Sequence, residues 1–271
     1  MTSTATPVTA FRRRPLAALA KAEYLQFRRN KTLMYMATVF PIGIPLVMYF
    51  IARRGAAPTA DTAALAFELL ALVALLFVQY YSVLSMVTTR RGEGVLKRLR
   101  TGEAADWQIQ TAPAVPGAIV TLGCAVVVAA VVYATGAPAP VNPIATAVGL
   151  VGGIVLFSLL ALATSAVTKN AEAAQITSLP VMTVAMIGMA SIRRILPDRL
   201  AEVADWTPFA AVSDLIALGT SGQPTIGSAA GAELDFAGTF AELGRPFATL
   251  AIWTGLALVL TRRSFRWDDR G

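Results

Sequence analysis

Residues 88–109, TTRRGEGVLKRLRTGEAADWQI, set five cations and three acids between two long apolar runs. Groups of these types, with no nucleophile and base among them, perform electrostatic recognition; they meet an oppositely charged surface or anionic head groups. Glu93 and Lys97 are four apart with the acid first, an order that supports a helix by roughly 0.2–0.5 kcal/mol. Val95, Leu96 and Leu99 supply an apolar side, while Lys97, Arg98 and Arg100 project elsewhere. The spacing predicts a short amphipathic helix at a membrane surface. Thr101-Gly102 breaks it, and Thr101 caps a second turn through EAADWQIQ before Pro113 opens the next apolar run. An ordinary basic loop with a lipid-facing helix fits the same composition.

Other chemistries are excluded by what the chain lacks. It has no histidine, which removes His-based triads, histidine proton relays and most zinc sites. Its one cysteine, Cys124, lies in an apolar run and can form no intramolecular disulfide. No G-x-x-x-x-G-K-[ST] occurs, so a P-loop is absent and any ATP must be handled by another chain. Glu68 is the sole acid inside an apolar run, whereas ion-coupled transporters place ionisable groups near the midplane. We therefore expect no catalytic residue, no metal and no cofactor bound by this chain.

The elements that position the basic loop follow from hydropathy. A chain with 56% hydrophobic and 14% charged residues is an all-α integral membrane protein. Its net charge of +7 sits beside apolar runs, which points to lipid head groups and topology and not to nucleic acid. A helix needs about 20 apolar residues to cross a bilayer, and six stretches are expected to do so: 33–52, 65–87, 114–134, 144–167, 175–191 and the shorter 246–261. Outside them, seventeen Lys and Arg fall on one side and six on the other, which predicts both termini and the quoted loop to be cytoplasmic. Before the first span, FRRRPLAALA is too short a run for a secretory signal. Residues 12–31 are expected to form an amphipathic helix in the head-group plane, with Leu16, Leu19, Tyr24 and Phe27 apolar and Arg28, Arg29 and Lys31 basic. A disordered basic tail before a signal anchor is the alternative. Residues 1–11 are expected to be disordered, 12–261 to form one domain of six spans, and 262–271 to be a cytoplasmic tail.

Two patterns resemble the permease subunits of exporter-type (type-2) ABC transporters, of the multidrug or antibiotic efflux kind. The loop is similar to that family's R-x-E-G-x-L-x-R-L, with Arg91, Glu93, Gly94, Leu96, Arg98 and Leu99 in the matching positions. The start of the first span, FRRNKTLMYMATVFPIGIPLV, is similar to R-N-[KP]-x-x-L followed by a mid-helix proline, here Arg29, Asn30, Leu33 and Pro41. Many members follow the loop with Thr-Pro, whereas this chain has Thr101-Gly102-Glu103. The resemblance implies that the loop is a cytoplasmic coupling helix between the second and third spans, docking in a cleft of a separate ABC ATPase that holds ATP and magnesium. Its contacts would be Arg90, Arg91, Glu93, Gly94, Leu96, Lys97, Arg98, Leu99 and Arg100, met by an acidic rim. The helix at 12–31, with Arg28, Arg29 and Asn30, would be the connecting helix. The chain would work in the cell membrane, as a homo- or heterodimer with a second permease copy, exporting a small amphipathic compound. A membrane scaffold, an enzyme accessory protein or an ion-coupled transporter are the alternatives.

Further candidates lie within the spans. Gly149 and Gly153 form a GxxxG pair, suited to dimerisation or to packing within one chain. Met182, Met186 and Met189 recur at i, i+4 and i+7, suited to an adaptable substrate path or to plain helix packing. Gln79, Tyr80 and Tyr81 are amphipathic enough to line that path, or to bond neighbouring backbone. Residues 206–219, WTPFAAVSDLIALG, are too short to cross; they resemble the family's re-entrant outer gate and equally fit an interfacial helix. GTSGQPTIGSAAG after them is expected to be an exterior connector.

Overall fold

The computed structural model describes residues 15–102, 104–224 and 233–268. The expected disordered segment 1–11, the start of the amphipathic helix at 12–14, Glu103, most of the exterior connector and the last residues of the expected tail lie outside them. Among the described residues there is no strand.

Helix α1 covers Pro15–Arg29 and α2 covers Lys31–Arg53. Asn30, expected inside the amphipathic helix, instead separates the two: its Oδ1 accepts the Leu33 amide at 3.0 Å as the N-cap of α2. Pro41 and Pro45 sit on the buried side of α2, and Cys124 Sγ donates at 3.7 Å to Ala37 O, the carbonyl four residues before Pro41 that has no proline amide to bond. A Thr59–Thr62 capping box starts α3, which runs Ala60–Gly92 for 33 residues, extending beyond the expected 65–87 at both ends. Its middle, Ala74–Tyr81, is wound as a π-helix, and Ser82 Oγ donates to Phe77 O five residues back at 3.1 Å. Two short helices follow, α4 at Val95–Arg100 and α5 at Asp106–Thr111, then the long α6 at Ala114–Ala134 and α7 at Pro143–Ser165.

Five helices among the described residues are long and apolar enough to cross a membrane: α2, α3, α6, α7 and the last one, α13 at Gly244–Ser264. The chain is thus a multi-pass helical membrane protein. The expected fifth span, 175–191, is instead a shorter apolar helix, α8 at Ala173–Ile187. At about 1.5 Å per residue it reaches ~22 Å, short of a hydrocarbon core of ~30 Å. At its end Gly188 passes so close to α11 that a Cβ there would lie 2.8 Å from Ala210 N and 2.4 Å from Thr207 Oγ1. Met189 then turns extended. The short helices α9 at Ala190–Arg193 and α10 at Asp198–Ala204 lead to α11 at Pro208–Thr220. Helix α12, Phe236–Glu242, precedes α13, which continues past the expected end at Thr261 through the basic pair Arg262-Arg263.

Most of the region 206–219 is buried inside the bundle. All but one residue of α11 is buried, and it packs between α7, α13 and α3. The GxxxG pair makes this possible within one chain: a Cβ on Gly149 would lie 2.9 Å from Leu215 Cβ, and one on Gly153 2.6 Å from Leu75 Cδ1 and 3.2 Å from Val212 Cγ2. At the far end of α11, Gly219 O accepts the Asn142 amide at 2.8 Å, and Asn142 Nδ2 donates to Thr239 Oγ1 at 2.9 Å. A fully buried asparagine thereby caps α7 and pins α11 and α12 to its start.

Candidate functional site: the basic loop and its supports

The loop divides its residues between an inner and an outer side. Gly94 stands at φ +69°, the left-handed region that favours glycine, and this turn separates the end of α3 from α4. Glu93 is therefore the residue after α3 and not part of α4, so the expected Glu93–Lys97 helical pair does not form. Arg98 Nη2 reaches back instead to Glu93 O at 3.3 Å. Leu96 is fully buried and Leu99 half-buried, which seats α4 on the helix bundle. Glu93, Lys97, Arg98 and Arg100 face outward as a charged ridge. Arg100 Nε is 3.3 Å from Asp106 Oδ1, which ties α4 to α5.

Arg90 and Arg91 do not belong to that ridge. Both are buried and spend their guanidinium groups inside the chain. Arg90 forms an ion pair with Glu23 of α1, and its Nη2 also donates to Gln26 Oε1 at 3.0 Å. Arg91 Nη1 donates to Ser165 O at 2.7 Å, and its Nη2 to Thr168 O and, at 3.3 Å, to Lys169 O. Ser165 is the last residue of α7, where helices leave acceptors unpaired and favour a cation, and Thr168 and Lys169 lie just after it. Neighbouring arginines thus clamp the base of the loop to α1 on one side and to α7 on the other. The same clamp packs one side of α1 on the bundle. Glu23 and Phe27 are buried, and α1 packs on α2, α5 and α6, while Arg28, Arg29 and Asn30 remain exposed.

At the opposite end of the bundle, Glu68 is buried and used structurally. Its Oε1 accepts from the Ala190 amide at 2.7 Å and from Ser213 Oγ at 2.5 Å, so one carboxylate holds both α9 and α11 against α3. Beside it, Arg193 donates to Asp205 Oδ1 at 2.9 Å and to Asp214 Oδ1 at 2.5 Å, and Arg245 Nη2 adds a contact to Asp205 Oδ2 at 3.5 Å. Burial acts to lower the Arg193 pKa, but the Asp214 and Asp205 carboxylates outweigh it and hold the guanidinium above its ordinary value.

The profile of one family, described as ABC-2 type transporter, matches residues 14–211, well over half of the chain. The chain belongs to the ABC-2 type transporter family. No curated protein matches it. As an ABC-2 membrane domain it is a transmembrane permease component of an ABC transporter, and the missing P-loop agrees with a division of labour in which this component binds no nucleotide. The match takes in α1, the four spans α2, α3, α6 and α7, and the whole basic loop, and it ends inside α11.

Within this ABC-2 permease, the residues expected along a substrate path part company. Gln79 and Tyr80 are fully buried: Gln79 Nε2 bridges Ala114 O at 3.1 Å and Ser158 Oγ at 2.6 Å, and Tyr80 OH donates to Thr164 Oγ1 at 3.2 Å. They join α3 to α6 and α7. Phe77 and Tyr81, on the other side of the π-wound segment, line an apolar cavity of about 470 Å³ against Met36, Phe40 and Ile44 of α2. Met182 is half-buried, Met186 exposed and Met189 buried, so the methionine repeat forms no single face.

Sequence reasoning missed Glu23 as the partner of Arg90, although it is the only acid in the first 60 residues and stands in a basic segment. It also missed the Arg193–Asp205–Asp214 cluster, for which the order of residues offers no periodic signal.

Proposed function

We propose that this permease is the membrane half of an ATP-driven exporter that moves a small amphipathic, drug- or antibiotic-like compound outward across the cell membrane. A separate ABC ATPase docks on α4, in the cytoplasm with both ends of the chain, and a second permease copy completes the path. The observation that carries this reading is the split of the loop. A charged ridge of Glu93, Lys97 and Arg98 stands on a short helix whose base is clamped by Arg90 and Arg91 to α1 and α7. A ridge held in this way passes force from a docked partner into α3 and α7, whereas a loop that only sets topology needs no buried clamps. The outward charges favour a partner with an acidic rim and set its orientation. The apolar cavity lined by Phe77 and Tyr81 has a volume in the range of small-molecule sites and supports an amphipathic substrate class. The structural use of Glu68, bonded on one oxygen to two elements, weighs against a proton-coupled carrier.

The test is reconstitution of the permease with its cognate ATPase in vesicles. Lys97→Glu with Arg98→Glu is expected to abolish the stimulation of ATP turnover by the permease while membrane insertion stays intact. Stimulation equal to that of the unaltered chain refutes docking on α4. ATP-dependent accumulation of a fluorescent amphipathic dye in inside-out vesicles is the expected direction, and loss of dye from them would refute export.

A further inference from the structure

The segment after the last span reads as a solvated basic tail, yet it turns back onto the loop. Phe265 ends α13, its amide donating to Thr261 O at 3.0 Å, and its ψ of 128° redirects the chain. Phe265 and Trp267 meet edge to face at 4.9 Å between ring centroids, and both are partly buried against the apolar core. The Trp267 ring lies under the Arg100 guanidinium, 4.8 Å from its carbon to the ring centroid, a cation–π distance. Arg100 is the last residue of α4, and its Nε is held at the same time by Asp106. Thr261 Oγ1 donates to Leu159 O at 3.2 Å, so the segment hangs from a helix that is itself fixed to α7. Phe265 and Trp267 lie beyond the part of the chain that the family profile matches.

We propose that Trp267 is a positioning residue for the docking helix. Arg90 and Arg91 clamp the base of the loop, and Trp267, backed by Phe265, fixes the other end of α4 by stacking on Arg100. The orientation of the Glu93–Lys97–Arg98 ridge is then set from α13 as well as from α3. This inference rests on the ATPase docking at α4, and two measurements keep the failures apart.

The first uses the permease alone. With Cys124→Ala removing the one native thiol, Arg100→Cys combined with Trp267→Cys is expected to cross-link with a short bis-maleimide in vesicles, and no cross-link overturns the contact. The second uses the complete complex. Trp267→Ala is expected to lower permease-stimulated ATP turnover by about two- to fivefold, the scale of an exposed cation–π contact. Trp267→Tyr is expected to restore it, and Arg100→Ala to cause no further loss when added to Trp267→Ala. If Arg98→Glu abolishes stimulation while Trp267→Ala leaves it unchanged, the positioning role is wrong and docking stands. If neither variant changes it, the docking reading falls and takes the positioning role with it.

Discussion

The Glu23–Arg90 pair offers a test of whether α1 is a structural part of the fold. The Arg90 side chain is 11% exposed and that of Glu23 6%, so neither charge is screened as a surface pair would be. Replacing Glu23 with methionine leaves a buried guanidinium with Gln26 Oε1 at 3.0 Å among its remaining partners. Breaking a buried pair from one side costs about 3–5 kcal/mol, and the surviving amide contact places this case near 3. For a chain of this size that corresponds to a fall in Tm of ~6–12 °C. Arg90→Met leaves Glu23 stranded and should cost a similar amount. The double variant removes both charges and fills their volume with apolar side chains, so it should recover to within about 1 kcal/mol of the parent. The protein carries its own reporter, since Cys124 is buried and free, and a buried thiol reacts with a maleimide dye only once the bundle opens. Thermal ramps of the detergent-solubilised permease with such a dye give the four melting points directly. A double variant as destabilised as the sum of the two singles, or a Glu23→Met chain that melts within ~2 °C of the parent, refutes a buried pair between α1 and α3.

Two further outcomes use the same thiol-reactivity assay. Gly219→Ala should destabilise strongly and by more than the usual 1–3 kcal/mol of overpacking, because its Cβ would lie 2.5 Å from Thr146 N and 2.8 Å from Asn142 O, both backbone atoms that cannot swing aside; Gly123→Ala, with open space around it, should leave the melting point unchanged or raise it. Asp214→Asn removes one of the two charges that hold Arg193 and should cost about 3 kcal/mol, and Asp214→Glu should not recover it, because the carboxylate then no longer sits at 2.5 Å from Nη2 within a filled site.

Much of the architecture follows from short-range patterning. The apolar runs mark α2, α3 and α7 to within a few residues, while the caps Asn30 and Thr59 start α2 and α3 earlier than hydropathy places them, because a hydropathy count leaves polar capping residues out. The leucine spacing of the basic loop likewise places α4, since Leu96 and Leu99 share a helix face, but its start at the positive-φ Gly94 leaves Glu93 outside the helix that the Glu93–Lys97 spacing suggests. The fifth apolar run is helical only as far as Ile187; hydropathy counts residues and carries no record of the approach of Gly188 to the start of α11 or of the bond from the Ala190 amide to Glu68.

The sequence by itself determined that the chain is helical, lies in a membrane, binds no nucleotide through a P-loop and presents a charged loop between its second and third crossings. Only the tertiary structure decided which of those charges face a partner. Arg90 and Lys97 are both cations in the same loop, and nothing local separates them. Glu23, 67 residues before Arg90, and the carbonyls of Ser165 and Thr168, more than 70 residues after Arg91, pull two arginines inward. Desolvating a guanidinium is tolerated only where an opposite charge or several acceptors await it. Those acceptors come from helices far away in the chain, so the division between clamp and ridge exists only once the bundle has formed.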